Sequence, residues 1–582
     1  MPVDSNVLAG IRNELEKKIL GAYPEADAGH IKFETPPSPE LGHLSLICFF
    51  LSKLLRKPPA KIAEEISLLS FPPEVEKVEL KGPYLNFFFN ADRIFEKIKP
   101  LADTGDFGTL SEGAGKSALV EFSSPNTNKP LHLGHARNNM LGFSLSNLFE
   151  KAGYRVSRVN LVNDRGIHIC KSMLAYQLFG NGVSPQKSGK KGDHFVGEYY
   201  VKFDQESQGD PSLSDKAQAM LIDWENGEPG IRKLWQEMNG WVMEGFKKTY
   251  GRMGIEFDKF YFESDLYAGG KELVLEALEK GICQKEDNGA VSIDLEAEKL
   301  GKKILLRGDG TSVYMTQDIS TTVKKNQEFS PDHMLFVVGN EQDNHFRVLF
   351  KVIEKFGYAW ASTCEHVSYG MISLPEGNMK SRQGNVVDID DLLDEIKGLA
   401  LEEIIIRRPE LKESDEAADL AEHIGQAAVK FMILKATAEK NFVFDSKESL
   451  SFDGMTGPYL QYTHARLSSL LRKSEDSGLD AADDESVSDA VTYDWNEEER
   501  QIIILASRYP DSVSVSVKNR NPAELANYIY NLARNYNRYY YATPILKGEP
   551  TAVSKRLNLA GLVKFVLADA LKIMGIEPLE RM

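Results

Sequence analysis

The sequence predicts a multidomain α/β protein, with an α+β unit first, a parallel-sheet unit in the middle and an all-α unit last. Three observations predict it. The chain has 582 residues, several times an ordinary domain. From Ser117 to Asp164 a short apolar strand, a proline-bearing turn, a helix-periodic stretch and a second strand follow in turn, the order of a βαβ unit. From about Leu392 onward the pattern is helical and strands disappear.

The elements are justified in chain order. "MPVDSNVLAGIRNELEKKIL" reads as an amphipathic helix and lacks the regions of a secretory signal. "AKIAEEISLLS" has helical spacing, and "VEKVELKGPYLNFFFN" alternates and turns at Gly82-Pro83, as a strand pair would. "LADTGDFGTLSEGAGK" is rich in turn formers and is expected to be a linker. "SALVEFSSP", "HARNNMLGFSLSNLFEKAGY" and "RVSRVNLVND" then supply strand, helix and strand of a Rossmann-type sheet. "FGNGVSPQKSGKKGDH" reads as an inserted loop, and "HMLFVVGN" and "EHVSYGMISL" as further strands. Three late stretches, "EHIGQAAVKFMILKATAEK", "TGPYLQYTHARLSSLLRK" and "PAELANYIYNLARNYNRYYY", are helix-like. The expected domains are 1–105, 106–395 with an insertion near 175–255, and 396–582.

Composition narrows the class. No apolar run is long enough to span a bilayer, and the four cysteines form no CxxC pair, which argues against disulfides and structural zinc. A cytoplasmic, reduced protein is expected. The net charge of −17 argues at first against nucleic acid, but Ser474 to Arg500 holds eleven Asp/Glu against one Arg, and so −10 of it. A local basic groove elsewhere stays open.

The stretch "SSPNTNKPLHLGHARNNM" carries chemistry. It lies at the carboxyl end of the first strand, where open α/β sheets bind ligands. His132 and His135 sit three apart near the helix start and can donate hydrogen bonds to one phosphate as charge develops. Gly134 would let a flat base lie against bare backbone.

HLGH resembles the HIGH motif of class I aminoacyl-tRNA synthetases, and "SPNTNKPLHLGHARN" is similar to its arginyl-tRNA synthetase form. "DHFVGEYYVKF", "LLRGDGTSVYMTQDIS", "VVGNEQDNHFRVLF", "DGMTGPYLQYTHARL" and the closing "ALKIMGIEPLERM" look like further blocks of that family, so the resemblance spans nearly the whole chain. It implies an enzyme that activates L-arginine with ATP and Mg²⁺, without zinc, and charges tRNA(Arg). It also implies a monomer, an N-terminal domain for the tRNA elbow and a C-terminal anticodon-binding domain. Tyr314 and Asp318, four apart on one helix face, would contact the guanidinium. Asn126 and Gln342 would hold the backbone end of arginine, and Glu121 its ammonium. The family's KMSKS loop has its counterpart in "PEGNMKSRQGNVV". Matching Met379 puts Asn378 where the first lysine belongs. A one-residue gap matches Lys380 and Ser381 to the second Lys-Ser pair instead, and Arg382 also offers charge. Lys129, just before HLGH, stands where the family places a compensating lysine. Arg534, Arg538, Tyr539, Tyr540 and Tyr541 share one helix in which some tyrosines must be core; Arg534, Arg538 and Tyr540 are offered for tRNA, while Lys187, Lys190 and Lys191 could touch the acceptor stem or simply be solvated.

Overall fold

The computed structural model describes residues 5–267, 269–375, 387–412, 414–477 and 493–582. The first unit is α+β. Its opening helix, Val7–Ala22, is capped by the Asn6 side chain and buries Leu8, Ile11, Leu15 and Ile19, one stripe of a helix surface. The strand pair is present as Val75–Lys81 and Tyr84–Phe89, antiparallel about a turn at Gly82, whose φ of +60° favours glycine. Leu44–Ile47 and Phe33–Glu34 extend it to four strands.

The expected linker is not one. Residues 101–104 finish a helix, and Phe107 and Leu110 are wholly buried. Gly and Asp mark tight turns there, but two apolar side chains anchor them in the core.

The middle unit is built on five parallel strands: β1 (Ser117–Glu121), β2 (Arg155–Val162), β3 (Lys259–Phe262), β4 (His333–Gly339) and β5 (Cys364–Tyr369). Their order is β3-β2-β1-β4-β5. The order reverses between β1 and β4, so the ligand crevice is expected outside the carboxyl ends of those two strands. Ala118, Leu119 and Val120 are all buried, as a strand covered on both faces requires. Past β1, Ser123 and Ser124 take left-handed backbone with φ of 77° and 45°. Asn138 Oδ1 and Asn160 Oδ1 accept their N–H groups and hold that turn. Helix α1 (Leu133–Lys151) follows, and Gly142 lies so close to Phe122 that a Cβ would stand 2.3 Å from its ring.

The insertion between β2 and β3 is built of helices joined by turns: α2 (Ile167–Phe179), a short turn of helix at Pro185–Ser188, α3 (Gly192–Gly209), a helix over Ser212–Glu225 and α4 (Pro229–Arg252). The glycines and lysines of "FGNGVSPQKSGKKGDH" fall at the turns between helices that pack on one another.

Helix α5 (Tyr314–Phe329) leads into β4, and the strand pair β6 (Ile372–Ser373) with β7 (Phe442–Val443) completes the frame. β7 corrects the expectation that strands stop near Leu392. A two-residue strand carries no periodicity to read. What places it is Arg137 of α1, fully buried, whose guanidinium donates to the carbonyls of Gly370, Met371, Thr437, Ala438 and Lys440. These five bonds tie α1 to both sides of the β6–β7 pair.

The closing unit is helical: α6 (Ile389–Arg407), α7 (Asp415–Leu434), α8 (Gly457–Asp476), helices over Glu497–Ser507 and Tyr509–Lys518, α9 (Ala523–Ala542) and α10 (Pro550–Ile573). Among the described residues no helix is long and apolar enough to cross a membrane.

Candidate active site

His132 is the N-cap of α1, and its Nδ1 accepts the N–H of Gly134 at 3.1 Å. His135 bonds back to the cap, its Nδ1 accepting the His132 N–H at 3.1 Å. The two rings lie 3.9 Å apart. Burial, with help from the Lys129 cation, pushes the His132 imidazole down to about 4 and holds His135 well below its ordinary value. Both rings are therefore neutral near pH 7. An accepting Nδ1 leaves the single ring proton on Nε2. The pair thus presents two Nε2–H donors beside the helix N-terminus, with Lys129, half-buried and itself lowered by burial, close by. A Cβ on Gly134 would stand 3.0 Å from the His132 ring, so this glycine makes room for the imidazole. Leu133 N–H donates to Val387 O, Ile389 N–H donates to Leu131 O, and the backbone of His132 bridges to that of Asp388. The HLGH turn is thereby bound to the chain that leaves 376–386. Lys380, Met379, Ser381, Arg382 and Asn378 lie outside the described residues.

Asn126 follows β1 and Gln342 follows β4; both are exposed at the reversal of strand order. Tyr314 opens α5 and is 80% exposed. Asp318, one turn on, meets His345 Nε2 at 2.7 Å. At the end of β3 stands a carboxylate that the sequence reading passed over: Glu263, pushed up to about 7 by burial, with Arg165 opposing the shift and Asp164 and Asp318 adding to it. Carboxylates held this close without full compensation are what a bound cation relieves. Its signal in the sequence was an acid directly after a strand, in "KFYFESD". Glu121 is placed differently from its expected role. It is buried and ion-paired with Lys325, itself buried on α5, so its charge is already met.

One group of metal-ligand types comes together among the described residues, Asp193, His194 and Asp390. Lys191 Nζ already bridges its carboxylates, at 2.9 and 2.6 Å.

The family model for the catalytic domain of class I (R) tRNA synthetases matches residues 101–446. The arginyl-tRNA synthetase N-terminal model matches 6–89, and the DALR anticodon-binding model 460–582. The chain belongs to the arginyl-tRNA synthetase family. It is a class I aminoacyl-tRNA synthetase, an ATP-using enzyme of the ligase type. An arginine–tRNA ligase of Treponema denticola is 43% identical over 99% of this chain and 98% of its own, and one of Bacteroides thetaiotaomicron 41% over the whole of both. Among solved structures, the arginyl-tRNA synthetase of Thermus thermophilus superposes with a TM-score of 0.81 at 26% identity, over 98% of this chain and all of its own.

In this arginyl-tRNA synthetase family member the aromatic string of α9 divides by burial. Tyr536 and Tyr539 are core, and Tyr539 donates to Glu499 Oε1 at 2.7 Å, which removes it from the candidates for RNA. Arg534 and Arg538 are exposed, Tyr540 is partly buried and Tyr541 is 75% exposed. Arg466 of α8, missed in the sequence, donates to Tyr541 OH at 2.7 Å and lies over the rings of Tyr462, Tyr540 and Tyr541. Among the lysines, Lys190 pairs with Glu198 and Lys191 is anchored as above.

Proposed function

We propose that the chain activates L-arginine with ATP, releasing pyrophosphate, and transfers arginine to the 3′-terminal adenosine of tRNA(Arg). The observation that carries this is a pair of neutral imidazoles at a helix N-terminus, set at the reversal of strand order, together with two coupled carboxylates, Asp318 on α5 and Glu263 just past β3. ATP enters as its magnesium complex, and no resident zinc takes part. The arginine carboxylate attacks the α-phosphorus in line, and the bond to pyrophosphate breaks. His132 and His135 donate from Nε2 to the α-phosphate oxygens as their charge grows, and Lys129 adds a cation from the other side. Then the terminal 2′-hydroxyl attacks the carbonyl carbon of the mixed anhydride, and AMP leaves. Asn126 and Gln342 hold the backbone end of arginine. Arg534, Arg538 and Tyr540, with Arg466, offer charge and ring faces to unstacked bases. One chain supplies every part, so a monomer in the cytoplasm suffices.

Asp318, Tyr314 and Glu263 form the fork for the guanidinium. An ammonium cannot fill it, and a neutral ureido group leaves the carboxylates unpaired. Because Glu263 titrates near 7 in the free protein, it is mostly protonated at pH 6 and must lose its proton to meet the cation. The kcat/KM for arginine should rise roughly tenfold between pH 6 and 8. Glu263→Gln should flatten that rise, and a profile unchanged by the substitution would remove Glu263 from the pocket.

The lysines are tested by ATP–pyrophosphate exchange with tRNA present. Lys129→Ala should lose far more activity than Lys380→Ala. The reverse order would move the compensating charge into 375–387.

A further inference from the structure

The corner after β2, Asp164 and Arg165, and the corner after β3, Glu263 and Ser264, are neighbours because the two strands are paired. Asp164 joins them, its carboxylate accepting the Ser264 N–H at 2.9 Å and the Ser264 hydroxyl at 2.7 Å. The Asp164 carbonyl accepts Trp235 Nε1 of α4 at 2.6 Å, which ties both corners to the insertion. The Arg165 side chain is only 11% exposed. Its guanidinium lies over the Tyr267 ring at 4.2 Å, and Nη2 donates to Glu225 Oε1 at 2.7 Å. A planar cation stacked on a ring and paired at one end is fixed in direction. At its other end stands the amide of Gln317, on α5 one residue before Asp318. The Gln317 oxygen accepts Arg165 Nη1 at 3.1 Å, and its nitrogen donates to Glu263 Oε1 at 3.0 Å. Chemistry fixes this orientation: turned over, the amide would set N–H groups against a guanidinium and a carbonyl against a carboxylate.

We infer that Arg165 and Gln317 are positioning residues for L-arginine: the fixed guanidinium of Arg165 locks the Gln317 amide, and the amide holds Glu263 Oε1 so that the other carboxylate oxygen is presented to the guanidinium of the substrate. The inference rests on the reading of Asp318 and Glu263 as the acceptors of that guanidinium. The charges that face Glu263 agree with it. Burial pushes its carboxyl up, Arg165 opposes the push, and Asp164 and Asp318 add to it. Asp318 is met by His345, and Arg165 by Glu225. Arg165 thus helps to keep Glu263 charged as well as aimed. The amide stands between the two charges, so a resident guanidinium does not fill the place meant for the substrate's.

Arg165→Met keeps a stem over Tyr267 and removes the charge. In ATP–pyrophosphate exchange with tRNA present it should raise the KM for arginine about tenfold, with the KM for ATP unchanged and kcat within about threefold of wild type. Gln317→Met should give the same split. Because the two residues act as a unit, the double variant should lose no more than about twofold beyond the larger single loss, whereas independent effects would multiply to about a hundredfold. Where Arg165→Met does not fold, Arg165→Lys takes its place in the same cycle. There the charge stays and the fork is lost, so a rise of about threefold is expected, and none in the Gln317→Met background. A folded Arg165→Met enzyme with wild-type KM for arginine, KM values for arginine and ATP that rise together, or losses that multiply would overturn the inference. Glu263→Gln separates it from the reading beneath. An unchanged KM for arginine in that variant overturns the pocket itself, whereas a raised one, with Arg165→Met and Gln317→Met both at wild-type KM, overturns only the roles given to Arg165 and Gln317.

Discussion

Asp318→Asn should lower kcat/KM for arginine by about 10³-fold, mostly through KM, while leaving the KM for ATP near wild type. The substitution keeps the shape of the side chain and removes its charge. A guanidinium placed against the introduced amide would lose a charge-assisted bond and meet an N–H where it needs an acceptor. The same change leaves His345 facing an amide in place of a carboxylate at 2.7 Å, so the bond that aims residue 318 loses its charge assistance. The two contributions can be separated. His345→Ala keeps the charge and frees its direction, and should cost about tenfold. Asp318 is about one-third exposed, which keeps the expected loss below that of a fully dry site. An Asp318→Asn enzyme whose KM for arginine moves by less than about threefold would place the guanidinium elsewhere.

The second large effect falls on the imidazoles. His132→Ala and His135→Ala should each lower kcat for adenylate formation by about 10²–10³-fold, with little change in either KM, since the donors act on charge that appears in the transition state. Both rings also cap α1, and loss of a cap alone destabilises by about 1 kcal/mol. His132→Asn separates the two roles. Asparagine is a good cap and can accept the Gly134 N–H, but it cannot also present a donor at the position of Nε2. Its stability should therefore stay near wild type while kcat falls with the alanine variant. Equal activity of His132→Asn and wild type would mean that the ring serves only to start the helix.

The parts legible in the sequence are those set by local pattern. The alternation of Val75–Phe89, the apolar run of β1, the helical stripe of Val7–Ala22 and the histidine turn each depend on neighbours within a few residues. What escaped depends on partners far along the chain. Arg137 meets carbonyls 233 to 303 residues away, and only that convergence explains the strand β7. Lys191 reads as one more solvated lysine until Asp390, 199 residues on, is brought against it. Glu121 is assigned to an ammonium by the family resemblance, but Lys325 reaches it from α5. Phe107 and Leu110 turned a Gly-rich linker into core, and which tyrosines of α9 are core was decided by Glu499, buried against Tyr539. In each case a charged or apolar side chain was read by type, whereas its role was decided by a partner that no local window contains.

Charging of total tRNA by the purified chain, with ATP, magnesium and each standard amino acid in turn, tests the central claim most directly. Arginine should become attached to the RNA, and lysine and the other standard amino acids should not. Attachment of another amino acid, or no attachment of arginine while the chain is folded, would contradict the account.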